Sequence, residues 1–282
     1  YVGRAIKESG LARTELFVTT KFLQGLSVQR DIRKSLANLG LQYLDLYLIH
    51  QPRLIPNLAN TWKEFEKVQQ DGLAKGIGVS NLVNVEQLED LIKVSKVKPA
   101  VNQIQLHPYN YHEMKPIMDA CAKHNIVIEA YSSLASYCSY VDEPLNPAVK
   151  RIGASPTQVI FLWIRAKGAV IITTSTTRAH MEEYLAIGDF PALTEDEISS
   201  VDNAGANGPP SCSVIVKHTT LAVTFVILRM MNVCSGADWT DNVQRMHVST
   251  RLQGGHTPLD QQRVDCCNIL LIVEHCPLTL NH

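Results

Sequence analysis

The chain has no excess of either charge. Its 26 basic and 27 acidic side chains leave a formal net charge of −1 over 282 residues. Nothing in that balance offers a phosphate backbone a basic face, so nucleic acid is excluded as an expected partner. Long hydrophobic runs are also missing. The leading candidate, Leu221 to Leu228, is far too short to span a bilayer and is flanked by Lys217 and Arg229, so no membrane partner is expected. The cysteines number seven and show no Cys-x-x-Cys spacing. That favours neither a disulfide framework nor a zinc site, and no metal is expected. No signal peptide stands at Tyr1, and with this cysteine usage the expected compartment is reducing and cytoplasmic. The Gly-rich fingerprint of a doubly wound dinucleotide fold does not occur.

What the chain does have is a repeat. Short apolar runs fit for strands end in polar residues and alternate with amphipathic stretches. Leu16–Thr20 runs into Lys21, Leu44–Ile49 into His50, and Gly76–Val79 into Ser80-Asn81. Val101–Gln105 carries Gln103, Ile126–Ala130 leads to Tyr131-Ser132, and Ala169–Ile172 leads to Thr173-Thr174-Ser175. Between them, apolar residues recur at helical spacing, as in Val28, Ile32, Leu36 and Leu39, closed by Gly40. Helices are predicted over Val2–Ser9, Ser27–Leu39, Leu58–Gln70, Val85–Val94, His112–His124, Pro156–Lys167, Arg178–Leu185 and Thr194–Asn203, the last with a capping-box-like start at Thr194. A parallel βα repeat with polar residues at the carboxyl ends of its strands is the way a (β/α)8 TIM barrel builds an active site. Six such strands are visible and a closed barrel needs eight, so unpaired strand edges and poor solubility are expected.

The ordered set of Lys21, His50, Ser80-Asn81, Gln103, Tyr131 and Ser175 resembles the aldo-keto reductases, nicotinamide-dependent carbonyl reductases on that barrel, and is closest in style to fungal members. The resemblance covers residues 1–210. It implies an α/β barrel lacking its first two strands and the intervening helix, and an enzyme that reduces aldehydes or ketones to alcohols. Lys21 matches the catalytic lysine, which lowers the pKa of a proton-donating tyrosine. His50 matches the histidine that orients the substrate carbonyl. Ser80, Asn81 and Gln103 match the trio that grips the nicotinamide carboxamide, Tyr131 the aromatic beneath the ring, and Ser132 its cofactor-binding neighbour. The implied cofactor is NADP (NADPH), with NAD possible, and the implied partner is a small carbonyl compound.

The departures bear on activity. Where the family often has Ile-Pro-Lys-Ser, this chain has Ile172-Thr173-Thr174-Ser175, and His180 stands at the position of an arginine that holds the 2′-phosphate. Ser175 still fits a phosphate-facing hydroxyl and Arg178 lies near enough to substitute. Leu82 stands where an aromatic is common. The family's proton-donating tyrosine and its aspartate partner belong to the segment before Val2-Gly3-Arg4-Ala5-Ile6, so activity is expected to be impaired. Tyr109 and Tyr111, after His107-Pro108, read as structural. Beyond Pro209-Pro210 the composition changes, and five of the seven cysteines and five of the ten histidines fall in residues 211–282. That segment is expected to be an unrelated tail, disordered or irregular. Two alternatives stand beside the reductase: a non-catalytic nicotinamide-binding protein, and a gene-model fragment without independent function.

Overall fold

The computed structural model describes residues 2–23, 27–134, 142–208, 225–229 and 269–273, the last two segments as backbone only. The composition break at Pro209-Pro210 and the rest of the tail lie outside the described residues. Six parallel strands, β1 (Leu16–Phe22), β2 (Leu44–Ile49), β3 (Ala74–Ser80), β4 (Val101–Gln105), β5 (Val127–Tyr131) and β6 (Ala169–Thr174), run in chain order. They fall where the apolar runs place them.

Helices join them, five of those described started by a side chain that takes an orphan backbone N–H. Ser27 caps α2 (Val28–Leu39), Asn57 caps α3 (Leu58–Gln70) and Asn84 caps α4 (Val85–Val94). Ser155 and Gln158 form a reciprocal capping box on α7 (Pro156–Ala166), as Thr194 and Glu197 do on α9 (Glu195–Asn207). Gly40 ends α2 at φ 69°, a conformation that spares glycine the Cβ penalty. The remaining helices are α1 (Val2–Glu8), α5 (Tyr111–Lys123), α6 (Asp142–Ile152) and α8 (Arg178–Leu185). Helix α6 has no counterpart among the predicted ones: Pro144 in its first turn and Pro147 within it hide it from a reading by propensity.

Closure corrects the expectation of open edges. The barrel is closed in the order β1-β2-β3-β4-β5-β6-β8-β7, with β7 (Phe225–Arg229) and β8 (Ile269–Val273) both drawn from the segment expected to be irregular. Strand β7 pairs antiparallel with β1, Val18 opposite Ile227, and β8 antiparallel with β6, Ile172 opposite Ile272. The two pair parallel with each other. The physical reason is that β1 and β6 would otherwise each present a row of unpaired backbone donors and acceptors. Pairing an antiparallel strand with such an edge needs no helical crossover.

The strand period of two sorts the side chains into two cores. Leu16, Val18, Tyr47, Ile49, Ile77, Val79, Ile104 and Ile171 face outward and pack under the helices. Phe17, Leu46, Leu48, Val101, Val170 and Ile172 face inward and fill the barrel. On the inward face, the positions beyond these apolar residues are polar at the carboxyl ends of the strands.

At the opposite end, Asp45 ties β1 and β2 together. It is buried and accepts from Arg13 Nη2 at 2.7 Å and from the Val18 backbone N–H at 2.8 Å, with Lys75 Nζ at 3.4 Å. The Arg13 guanidinium in turn lies 3.9 Å over the Tyr43 ring. Removing the carboxylate leaves the buried Val18 amide donor without a partner and strips the part-buried guanidinium of its counter-charge, leaving it only the Leu16 and Tyr43 carbonyls. Asp45→Ala should therefore cost about 3 kcal/mol, measured as a shift in urea unfolding. A cost below about 1 kcal/mol would place this pair among the inconsequential surface bridges.

Candidate active site

The polar residues at the carboxyl ends converge on one rim. Lys21, paired in register with Leu48, and His50, two residues beyond Leu48, stand on the inward face of adjacent strands. The His50 backbone N–H donates to Phe22 O at 2.8 Å, which fixes the exit of β2 beside β1. Burial moves the Lys21 ammonium from its ordinary 10.5 down to about 8, and the Glu129 carboxylate partly opposes that by favouring the charged form.

Ser80, Asn81, Gln103 and Tyr131 form one hydrogen-bonded wall. Ser80 Oγ donates to Gln103 O at 2.9 Å, and the Asn81 backbone N–H donates to the same carbonyl at 2.8 Å. Asn81 Nδ2 donates to His50 O at 2.9 Å and to Ser80 Oγ at 3.1 Å, while the Tyr131 hydroxyl donates to Asn81 Oδ1 at 2.6 Å. Burial holds the Tyr131 phenol above its ordinary range, opposed by the nearby Arg53 charge, so the hydroxyl stays neutral. Asn81 thus clamps β2, β3 and β5 together. It does so at φ 61°, and Ser132 follows β5 at φ 56°; these are two of the three non-glycine residues with positive φ among those described. Non-glycine residues held in that region are strained, and such strain gathers at functional sites.

Gln103 is buried, and its Nε2 donates at 2.6 Å to Glu129, which lies directly beside it in register on β5. No donor among the described residues meets Gln103 Oε1, so the amide oxygen is open to a ligand. That is the observation by which a nicotinamide carboxamide fits this wall. Glu129 was missed by the sequence reading. Its signal was available: Val127, Glu129 and Tyr131 share one face by alternation, and Tyr131 had already been placed at the rim.

The group expected at the phosphate end is less well gathered. Ser175 Oγ accepts from the Thr177 backbone N–H at 3.0 Å and lies 3.4 Å from His180 Nδ1. The Arg178 guanidinium is exposed and pairs with Glu182 at 2.7 Å, one helical turn on. A cavity of about 240 Å³ beside His180 is lined by Ser133, Asp142, Glu183 and Tyr184 among others, with Glu183 also bonded to Ser155. Ser133 Oγ is buried there without a partner among the described residues. Asp142 and Glu183 thus set two carboxyl groups in the cavity beside His180.

Tyrosines offer no hydroxyl to Lys21 among the described residues. Tyr47 is stacked on Phe65 in the outer core, Tyr111 meets the edge of Trp163, and Tyr184 meets Phe161. Tyr109 is buried against His107, and Tyr43 lies under Arg13. Tyr109 and Tyr111 thus make packing contacts, with His107 and Trp163 respectively.

A family model described as "Aldo/keto reductase family" matches residues 1–140. The NAD/NADP-dependent indole-3-acetaldehyde reductase of Schizosaccharomyces pombe is 34% identical over 217 residues, which is 73% of this chain and 74% of that protein. The chain belongs to the aldo/keto reductase family. An aldo/keto reductase from Brucella melitensis shares this member's fold, with a TM-score of 0.66 and 35% identity over 72% of this chain and 79% of that one. A Bombyx mori aldo-keto reductase solved in complex with NADP superimposes at a TM-score of 0.64, with 29% identity over 72% of this chain and 73% of that one. Among the described residues no helix of this family member is long and apolar enough to cross a membrane.

Proposed function

We propose that the chain binds a nicotinamide cofactor, NADP with NAD as the alternative, along the wall formed by Ser80, Asn81, Gln103 and Tyr131, and that it acts on small aldehydes or ketones in the cytoplasm. The observation that carries this is the convergence of Lys21, His50 and that wall on one barrel rim, with the Gln103 amide oxygen left open. Bound nicotinamide supplies hydride to a carbonyl carbon. The chain's own residues supply the rest. His50 orients the carbonyl, Lys21 provides a half-buried positive charge beside the oxygen as it becomes an alkoxide, and Tyr131 presents a neutral ring to the cofactor.

Among the described residues no tyrosine hydroxyl is bonded to Lys21, whose charge is balanced by Glu129, and slow reduction is the expected result. That same observation favours the second reading, a protein that binds nicotinamide without turning it over.

The cofactor end gives a direct test. Titrating NADPH and NADH by fluorescence should show both binding, with NADPH favoured by no more than about tenfold, equivalent to 1.4 kcal/mol. Asp142 and Glu183 repel a 2′-phosphate, and Arg178 is already paired with Glu182. Tyr131→Ala should weaken both cofactors equally. Absence of binding by either cofactor would overturn the reading, and tight binding with strong NADPH selectivity would show that Arg178 leaves Glu182 for the phosphate.

A further inference from the structure

We propose that Glu129 is a positioning residue of this site, fixing which end of the Gln103 amide meets the ligand and serving as the counter-charge of Lys21 across the barrel. The inference rests on the reading of Gln103 as the contact to the cofactor's carboxamide.

The geometry carries it in two parts. Glu129 sits in the middle of β5, is 4% exposed, and its Oε2 accepts from Gln103 Nε2 at 2.6 Å. Because Glu129 Oε2 accepts this bond, the amide turns its NH2 inward and leaves its oxygen towards the rim. The bond joins two buried side chains, where no water competes for either partner. Without Glu129, the Gln103 amide could flip, and half of its orientations would present NH2 to a ligand group that also donates.

The second part concerns charge. In the order of the closed barrel, β1 and β5 lie four strands apart by either route, so Lys21 and Glu129 project from opposite walls into the same interior. A carboxylate enclosed with no positive charge would reprotonate, and an ammonium enclosed with no negative charge would deprotonate. Each supports the ionised form of the other. Burial raises the Glu129 pKa and lowers that of Lys21, while their mutual attraction opposes both changes. The other titratable groups on neighbouring inward positions are His50 on β2 and Tyr131 on β5. Among the described residues Glu129 is the acid whose charge acts on Lys21.

The test uses the full chain, with Glu129→Gln as the near-isosteric variant and NADPH as the probe. Thermal unfolding first establishes that the variant folds. NADPH affinity, by fluorescence titration, should fall about tenfold, the scale of losing one hydrogen bond to a charged group. In a Gln103→Ala background the same substitution should add less than a further twofold loss, because its path to the ligand has gone. A full loss there would overturn the positioning role, since a merely structural contribution does not depend on Gln103. Titration of Lys21 by NMR of chains carrying carbon-13-labelled lysine, assigned with Lys21→Met, should move down from about 8 by about one unit in Glu129→Gln. An unmoved lysine would overturn the counter-charge. If Glu129→Gln does not fold, Glu129→Asp takes its place: it should keep the lysine titration near 8 while weakening NADPH. A wild-type chain that fails to bind NADPH would sink the functional reading and the Gln103 half with it. The lysine titration would still decide the remainder.

Discussion

At saturating NADPH, the 282-residue chain is expected to reduce aldehydes about 10²- to 10⁴-fold more slowly than an ordinary reductase, the range by which a positioned general acid accelerates such a step. Taking about 10 s⁻¹ as a typical turnover number, that means one event every ~10 s to roughly a quarter of an hour. Hydride delivery leaves an alkoxide, and its cost depends on a proton arriving in concert. None of the tyrosine hydroxyls among the described residues is bonded to Lys21, and the Tyr131 phenol is neutral and donates to Asn81. Lys21, at about 8, would still offer a positive charge to the oxygen, so the residual rate should fall further in Lys21→Met. The measurement is loss of NADPH absorbance across a panel of aldehydes. Turnover at ordinary rates that vanishes in Lys21→Met would show that a donor outside the described residues reaches the site.

Deleting residues 211–282 is expected to abolish cooperative unfolding and soluble yield. The deletion strips β7 from β1 and β8 from β6, re-opening two edges whose registers run over Leu16–Thr19 and Ile171–Thr174. A milder variant separates loss of closure from loss of chain. Ile227→Pro removes one backbone donor in the middle of β7, where Ile227 lies opposite Val18, and the lost ladder hydrogen bond should cost about 1 to 3 kcal/mol. Soluble expression, thermal unfolding and dye binding to exposed apolar surface would follow both. A truncated chain that melts as sharply as the full one would mean that the barrel holds without its last two strands.

Much of this could be read from the residues alone. The βα alternation, with its caps and inward-outward periodicity, placed β1 to β6 because each strand carries a short apolar run with turn residues on both sides. The rim positions of Lys21, His50, Gln103 and Tyr131 followed from where those runs end. Closure was harder to see. Phe225–Arg229 and Ile269–Val273 lie far from the edges they complete and contain no pairing partner within their own stretch, so local pattern gives no hint of register. Helix α6 was hidden by Pro144 and Pro147, which are tolerable near a helix start yet read as breakers. Glu129 was hidden by a different habit: a charged residue flanked by Ile128 and Ala130 looks like a solvent position until strand alternation is followed inward. The phosphate end was the least legible, because Arg178 suggests a free cation until Glu182 is seen beside it.

The manner of closure also sets the order in which the molecule can be made. Strand β1 is made long before its outer partner at residues 225–229, and the outer partner of β6 waits for residues 269–273. Once β6 has been made, a nascent chain therefore carries six strands whose outer edges stay bare until those later residues emerge, and pairings of such long sequence separation form slowly. For this protein the hazardous interval is a matter of time on the ribosome. Slower elongation through the last third would lengthen the exposure of the β1 and β6 edges to neighbouring chains without changing the finished fold.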